Sequence, residues 1–495
     1  MPENVNSLVA NPDALFIDGQ WMKPATQDRL ELFNPATEVC LGSVAAAGLA
    51  DVDRAVAAAR RAFDDGPWPR MSVAERAARM RDLQACLVKR SRSLDLSWHL
   101  QIGVPVAFAM GSSAAVASRL EYYATMAEGF AFEDMRPSGG RVTKHAVVVR
   151  EAVGVVAAIA PWNGPFGSLM IKLAPALAAG CTLILKPAPE TPLEALLLAE
   201  AAEEAGLPDG VINVLPADRA AADLLIRHPG VDKVAFTGST EVGMHIAQVC
   251  AARMARYTME LGGKSAAIVL EDYAPDALGP ALAPLVTTLC GQVCINYSRI
   301  LVPRARYAQY VESLAAAMAA IPVGDPASPD TRMGPLAMAR QYERVKTYIE
   351  KGIAEGAQLV SGGQRPPGMD RGHFIQPTVF GNVSNDMTIA REEIFGPVVA
   401  IIPYVDVDDA VRIANDTPFG LSGGVFTNDV DRAYAIARRI RTGHFTQNGR
   451  EFDLTNPFGG FKGSGVGREG GTEGLEAFTE VKTIFLQAMP SSIRI

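Results

Sequence analysis

The chain has 495 residues, of which 48% are hydrophobic and 20% charged. That length exceeds what one core supports and predicts two or three domains, and that apolar content excludes wholesale disorder. A formal net charge of -8 and a pI of about 5.5 argue against a nucleic-acid scaffold, which carries a basic face.

The opening stretch, MPENVNSLVANPDALF, has no basic region followed by an apolar run, so a secretory signal is not expected and the reading is cytoplasmic. Mainly helical sequence then follows a short strand pair, LFIDGQWM (15–22) and ELFNP (31–35). RPSGG (136–140) and the β-rich run after it read as an exposed hairpin. The span 152–171 is uncharged and long enough to raise the membrane question. Pro161, Asn163 and Pro165 break it into strand, loop and helix, and no membrane association is expected.

From residue 155 the pattern alternates. VVAAIA, CTLILKP, VINVLPA and KVAFTG are short apolar runs. PFGSLMIKLAPALAAG, TPLEALLLAEAAEEAGLP, AAADLLIRHPG and STEVGMHIAQVCAARM are helical between and after them. Strands separated by such helices imply βαβ units and a parallel sheet covered on both faces, with ligands at the carboxyl ends of the strands. A second alternating block runs from SAAIVL (265–270) to about residue 448. The fold class is therefore α/β.

Several segments carry candidate chemistry. GQVC (291–294) places Cys294 on a loop, although a lone cysteine is more often a buried structural thiol, and Cys290 fits that description. MELGGKS (259–265) puts Glu260 after a strand; crowding there would raise its pKa and suit a base, while such a residue read alone is more often a salt-bridging surface glutamate. FTGSTEVG (236–243) makes a strand–turn–helix junction in which Gly238, Ser239 and Gly243 suit an anion at a helix N-terminus, or an ordinary cap. KPAPETP (186–192) sets Lys186 at the sheet edge, where an adenosine ribose or phosphate would lie. GSGVGREGG (463–471) satisfies GxGxxG by letter, but no βαβ unit can follow it, so it reads as a flexible glycine loop. Six cysteines, at 40, 86, 181, 250, 290 and 294, make neither a disulfide framework nor a zinc pattern. The histidines show no HExxH, and no metal is expected.

The order PWN, KPAPETP, FTGSTEVG, MELGGKS, GQVC, EEIFGPV and PFGGFKGSGVGRE resembles the aldehyde dehydrogenase superfamily, from NPAT (34–37) to the terminal EVKTI segment. The resemblance implies two Rossmann-like doubly wound domains plus a small β arm. Residues 1–132 and 153–260 would bind the dinucleotide, 261–479 would form the catalytic domain, and 133–152 with 480–495 an oligomerisation arm. It implies Cys294 as nucleophile, Asn163 as oxyanion donor with the Cys294 N–H, Glu260 as base, and Lys172 beside that base. It implies NAD contacts from Trp162, Lys186, Gly238, Ser239, Gly243, Leu261, Glu393 and Phe395. The reaction implied is oxidation of an aldehyde to the acid through a thioester, in a homodimer or homotetramer. Transfer of the thioester to coenzyme A would not need Glu260, so hydrolysis is favoured. A cofactor-independent cysteine esterase is the rival from another class.

Two departures from the family pattern matter. Pro189 stands where many NAD-using members have a ribose-chelating glutamate, and Glu190 follows one place later, so NADP stays open beside NAD. Gly164, Gly167, Ser168 and Ile171 stand where members acting on small aldehydes often carry aromatics. With Tyr297, Phe452 and Leu454 they predict a wide apolar tunnel and a medium to large apolar aldehyde. Arg450 is the one arginine in reach of a substrate carboxylate.

Overall fold

The computed structural model describes residues 4–140, 143 and 145–488. Two sheets organise them, one of eight strands and one of seven, with a three-stranded and a two-stranded sheet beside them. The alternation of the sequence is realised directly. Strands Val155–Ile159, Thr182–Lys186, Ile212–Val214, Lys233–Thr237 and Arg256–Glu260 are parallel neighbours in the first sheet. Ser265–Val269, Tyr297–Pro303, Val398–Tyr404, Ser422–Phe426 and His444–Gln447 are parallel neighbours in the second.

These strands read as continuous apolar runs because both faces are covered. Val156 and Ala158 pack with the helices Val73–Lys89, Pro165–Ala179 and Leu193–Glu204. Val155, Ala157 and Ile159 face the opposite way, toward Leu49–Asp64 and Thr240–Ala252. The helix Pro165–Ala179 begins with proline at its first position, where the missing N–H costs nothing, and stops at Gly180 in the left-handed region (φ 96°). Every residue from Leu169 to Ala179 is buried.

Several expectations need correction. LFI and QWM form one hairpin, whereas ELF pairs with the strand Cys40–Ala45. The glycine-rich 463–471 stretch is not a free loop. Gly465–Val466 pairs antiparallel with Met259 and Glu260, extending the first sheet. The hairpin Glu133–Pro137 with His145–Ala152 is present, and Thr479–Leu486 adds to it as an antiparallel edge strand of the same chain. The remainder of the expected arm, 489–495, lies outside the described residues, as do 141, 142 and 144. Among the described residues no helix is long and apolar enough to cross a membrane.

Candidate active site

Cys294 follows a backbone stretch of unusual shape. Leu289 (φ 49°), Cys290 (φ 55°) and Gly291 (φ 71°) are consecutive left-handed residues. A Cβ on Gly291 would lie 2.2 Å from Gly396 O, so only glycine lets this loop pack against the 392–398 segment. The Gln292 side chain braces the turn: its amide donates to Leu289 O at 2.9 Å and its carbonyl accepts from Ala337 N at 3.0 Å. The turn delivers Cys294 into a partly buried cluster with Val293, Ile295, Leu421, Leu454 and Phe458. Burial pushes its thiol up to about 12, and Glu393 and then Glu260 push the same way. Cys290, fully buried, is raised by burial alone.

The glycine pair of MELGGKS explains how three segments meet. A Cβ on Gly262 would lie 2.4 Å from Glu393 Oε2, and one on Gly263 would lie 2.5 Å from Cys294 O. Gly263 N also donates to Glu393 Oε1 at 3.0 Å. Glu393 is thereby held on one side of the glycines with Cys294 on the other. Burial raises the Glu393 carboxyl, opposed by the Gly263 hydrogen bond and Lys264.

Glu260 ends its strand with both carboxyl oxygens buried and without a hydrogen-bond partner. Its pKa is raised well above the ordinary value, by burial first and by Glu469 second, with Lys172 and Arg468 opposing. Lys172, fully buried, donates to Thr237 Oγ1 and to Glu469 Oε1, each at 2.6 Å. Ser464 anchors the same strand end, donating to Gly262 O at 2.6 Å while its carbonyl accepts from Leu261 N at 2.9 Å.

Asn163 is fixed from two sides. Its Nδ2 donates to Gln292 O at 2.9 Å, and its carbonyl accepts from Trp98 Nε1 at 3.0 Å. Trp162 meets Phe395 edge-on, with centroids 5.4 Å apart. Phe395 takes a left-handed φ of 62°, and its carbonyl accepts from Gln341 Nε2 at 2.7 Å.

Farther along the first sheet, Lys186 is buried with no hydrogen bond or ion pair among the described residues. Burial pulls its ammonium down to about 8, opposed by Glu190 and Asp218. Ser239 caps the helix Thr240–Ala252. A Cβ on Gly243 would lie 2.4 Å from Leu261 Cδ2, so this helix sits tightly on the Glu260 segment. The Gly238 N–H is already spent on Glu260 O at 3.0 Å.

The profile of the aldehyde dehydrogenase family matches residues 21–484. The chain belongs to the aldehyde dehydrogenase family. Geranial dehydrogenase of Castellaniella defragrans is 47% identical over 473 residues, 95% of this chain and 98% of that one. A Mycobacterium tuberculosis aldehyde dehydrogenase complexed with NAD+ superposes with a TM-score of 0.93 at 45% identity, covering 98% of this chain and 99% of that one. A Pseudomonas syringae aldehyde dehydrogenase mutant complexed with NAD+ and octanal superposes with a TM-score of 0.90 at 38% identity, covering 98% of each chain.

Within this aldehyde dehydrogenase, one expected tunnel residue is placed differently. Tyr297 is fully buried, and its hydroxyl donates to Gly449 O at 2.8 Å, so it is a packing residue beneath the site and not a wall of a tunnel. Arg450 commits one nitrogen, which donates to Leu285 O at 2.6 Å and to Asn296 Oδ1 at 3.2 Å. Phe452 is half exposed and packs edge-on against Phe458 at 5.0 Å. Gly164 and Gly167 lie half-buried on the helix that carries buried Ile171. Phe458, Glu469 and Gln292 fall inside the motifs PFGGFKGSGVGRE and GQVC without a role being assigned to them, and Trp98 and Gln341 lie outside every motif. Each reaches the site through a long-range contact that no local pattern announces.

Proposed function

We propose that the chain oxidises medium to large apolar aldehydes to carboxylic acids, with NAD as acceptor, through a thioester on Cys294. The observation that carries this reading is the packing of Cys294 against Gly263, with Glu393 held on the other side of the same glycine pair. The residues present fit a dinucleotide. The Lys186 ammonium, without a hydrogen bond or ion pair among the described residues, suits ribose hydroxyls, the Ser239-capped helix start suits a diphosphate, and Glu393 keeps Oε2 free for a second ribose. When bound, the nicotinamide supplies the two-electron acceptor.

The protein's own groups supply the rest. The Cys294 thiol gives its proton to solvent, and the thiolate attacks the aldehyde carbon. One Asn163 Nδ2 proton is fixed on Gln292 O, which leaves the other, with the Cys294 N–H, to hold the oxyanion. After oxidation to the thioester, Glu260 takes a proton from water, and hydroxide releases the acid and the thiol. Lys172 and Glu469 lie behind Glu260 and lead that proton away. Gly164, Gly167 and Ile171, with Phe452, Leu454 and Phe458, line the approach to Cys294. The geranial and octanal named for similar proteins support an apolar aldehyde of this size.

Residues 1–132 with 153–260 serve as the nucleotide-binding unit, 261–479 as the catalytic unit, and 133–152 with 480–495 as the arm. The arm's edge strand Thr479–Leu486 exposes Val481 and Phe485, which supports a homodimer or homotetramer. Six free thiols support a reducing cytoplasm.

Absorbance at 340 nm on mixing protein, NAD+ and an aldehyde panel tests the reading. A rise that disappears in Cys294→Ala supports it. Ester hydrolysis without any rise overturns it in favour of a hydrolase, and acetaldehyde or succinic semialdehyde as the best substrate overturns the substrate class.

A further inference from the structure

Arg119 lies against the helix that follows Asn163 and makes no ion pair among the described residues. Arg119 opens the helix Arg119–Gly129, and its Nη1 donates to Gly167 O at 2.8 Å. A Cβ built on Gly167 would meet that same nitrogen at 3.7 Å. The guanidinium therefore occupies the side-chain face of the helix Pro165–Ala179 at the point where residue 167 contributes no side chain. One turn toward Asn163, on the same face, a Cβ on Gly164 would meet nothing within 4 Å. The side-chain position at 164, beside Asn163, is thus open, and the Arg119 guanidinium lies at the corresponding position one turn on. Tyr122, one turn after Arg119, donates to Thr455 O at 3.1 Å, so the loop carrying Phe452 and Leu454 lies against the same helix.

The charge balance points the same way. Among the described residues Arg119 makes no ion pair. Burial pulls it down to about 10, with Glu469 the one carboxylate opposing, and Glu469 is already bonded to Lys172. A guanidinium has about five N–H donors, and only one is committed here, to Gly167 O. The remaining N–H groups have no protein acceptor, and an oxygen on a bound molecule would supply one.

We propose that Arg119 binds an oxygen acceptor on the tail of the aldehyde. Substrates would then be long, largely apolar aldehydes bearing a carbonyl or carboxylate beyond the reacting group. The inference rests on the dehydrogenase reading of Cys294. Gly164 and Gly167 are separated by about 4.5 Å along the helix axis, which puts the acceptor several bonds from the aldehyde carbon.

The test compares octanal, its 7-keto analogue and the matching ω-oxo acid with NAD+, using the wild type, Arg119→Met and Arg119→Lys. In the wild type at least one oxygenated aldehyde exceeds octanal in kcat/KM by roughly tenfold, mainly through KM, about 1.4 kcal/mol of binding. Preference for the keto compound identifies a neutral carbonyl, and preference for the oxo acid a carboxylate. Arg119→Met removes the advantage and Arg119→Lys keeps part of it. If Arg119→Met does not fold, loss of most of the advantage in Arg119→Lys, the charge retained but the planar fork gone, supports the proposal in its place. Equal turnover of all three by the wild type, or an equal loss on all three in the variants, overturns the proposal. Turnover of none overturns the dehydrogenase reading and this inference with it.

Discussion

Lys172 Nζ lies 2.6 Å from Glu469 Oε1, although 297 positions separate the two residues. Both are buried, and the pair sits behind Glu260, whose carboxyl Glu469 helps to raise. Removing one partner of a buried pair typically costs about 3–5 kcal/mol because the other charge is left uncompensated. Glu469→Gln should therefore lower the thermal midpoint. It also removes a negative neighbour of Glu260 and leaves Lys172 unneutralised, and both changes lower the Glu260 pKa. The pH–rate limb belonging to Glu260 should move to lower pH; a limb that stays in place or moves up would show that the pair is only structural.

Glu260 itself gives a sharper test. Its raised pKa means that the carboxyl keeps its proton well above the usual carboxylate range, so the base is absent at low pH and appears as pH rises. Steady-state kcat should climb through that pKa. Glu260→Gln should abolish the climb and lower kcat by roughly 10²–10⁴-fold, the usual worth of a positioned base. Thioester formation does not require hydrolysis, so a stopped-flow burst of reduced cofactor should survive in the variant. A variant with a normal steady state would remove Glu260 from the reaction.

The order of motifs makes Cys294, Asn163, Glu260 and Glu393 legible in sequence, because each sits at the end of a strand or in a turn with distinctive neighbours. Periodicity also exposes the α/β alternation, since strands covered on both faces read as unbroken apolar runs. It does not encode the spatial order of strands. The pairing of Gly465–Val466 with Met259 and Glu260 spans two residues, too short for any period to register. Tyr297 reads as a tunnel wall because it is near Cys294 along the chain, which says nothing about which way a strand residue points. Arg119 and Glu469 reach their partners across 48 and 297 positions, and a single sequence carries no sign of such contacts.

The cofactor choice rests on an ion pair. Arg340 Nη2 holds Glu190 Oε1 at 2.5 Å, and Glu190 and Asp218 are the charges acting on Lys186. Two carboxylates around the lysine favour a neutral ribose diol over a 2′-phosphate. Glu190→Gln removes one of them and frees the Arg340 guanidinium for phosphate. The ratio of kcat/KM for NADP+ over NAD+ should rise by roughly tenfold, equivalent to about 1.4 kcal/mol. Arg340→Ala, which leaves Glu190 unneutralised, should move the ratio the other way. Identical ratios in the wild type and both variants would mean that the 2′-position is read elsewhere.

Gly291 is the residue on which the position of Cys294 depends most directly. It closes a run of three left-handed residues, and a side chain there would collide with Gly396 O at 2.2 Å and with Pro397 N at 2.7 Å. Real Cβ atoms do not approach backbone this closely, so Gly291→Ala must displace either the nucleophile loop or the 392–398 segment that carries Glu393. Left-handed backbone adds a further cost of about 1 kcal/mol or more for a residue with a Cβ. The displacement separates Cys294 from the Gly263 contact and Asn163 from Gln292 O. Dehydrogenase activity should fall at least a hundredfold, and alkylation of Cys294 by iodoacetamide should change in rate while the five other cysteines serve as internal references. Retained activity with an unchanged alkylation rate would show that the loop relaxes around the methyl group and that its geometry is not what positions the sulfur.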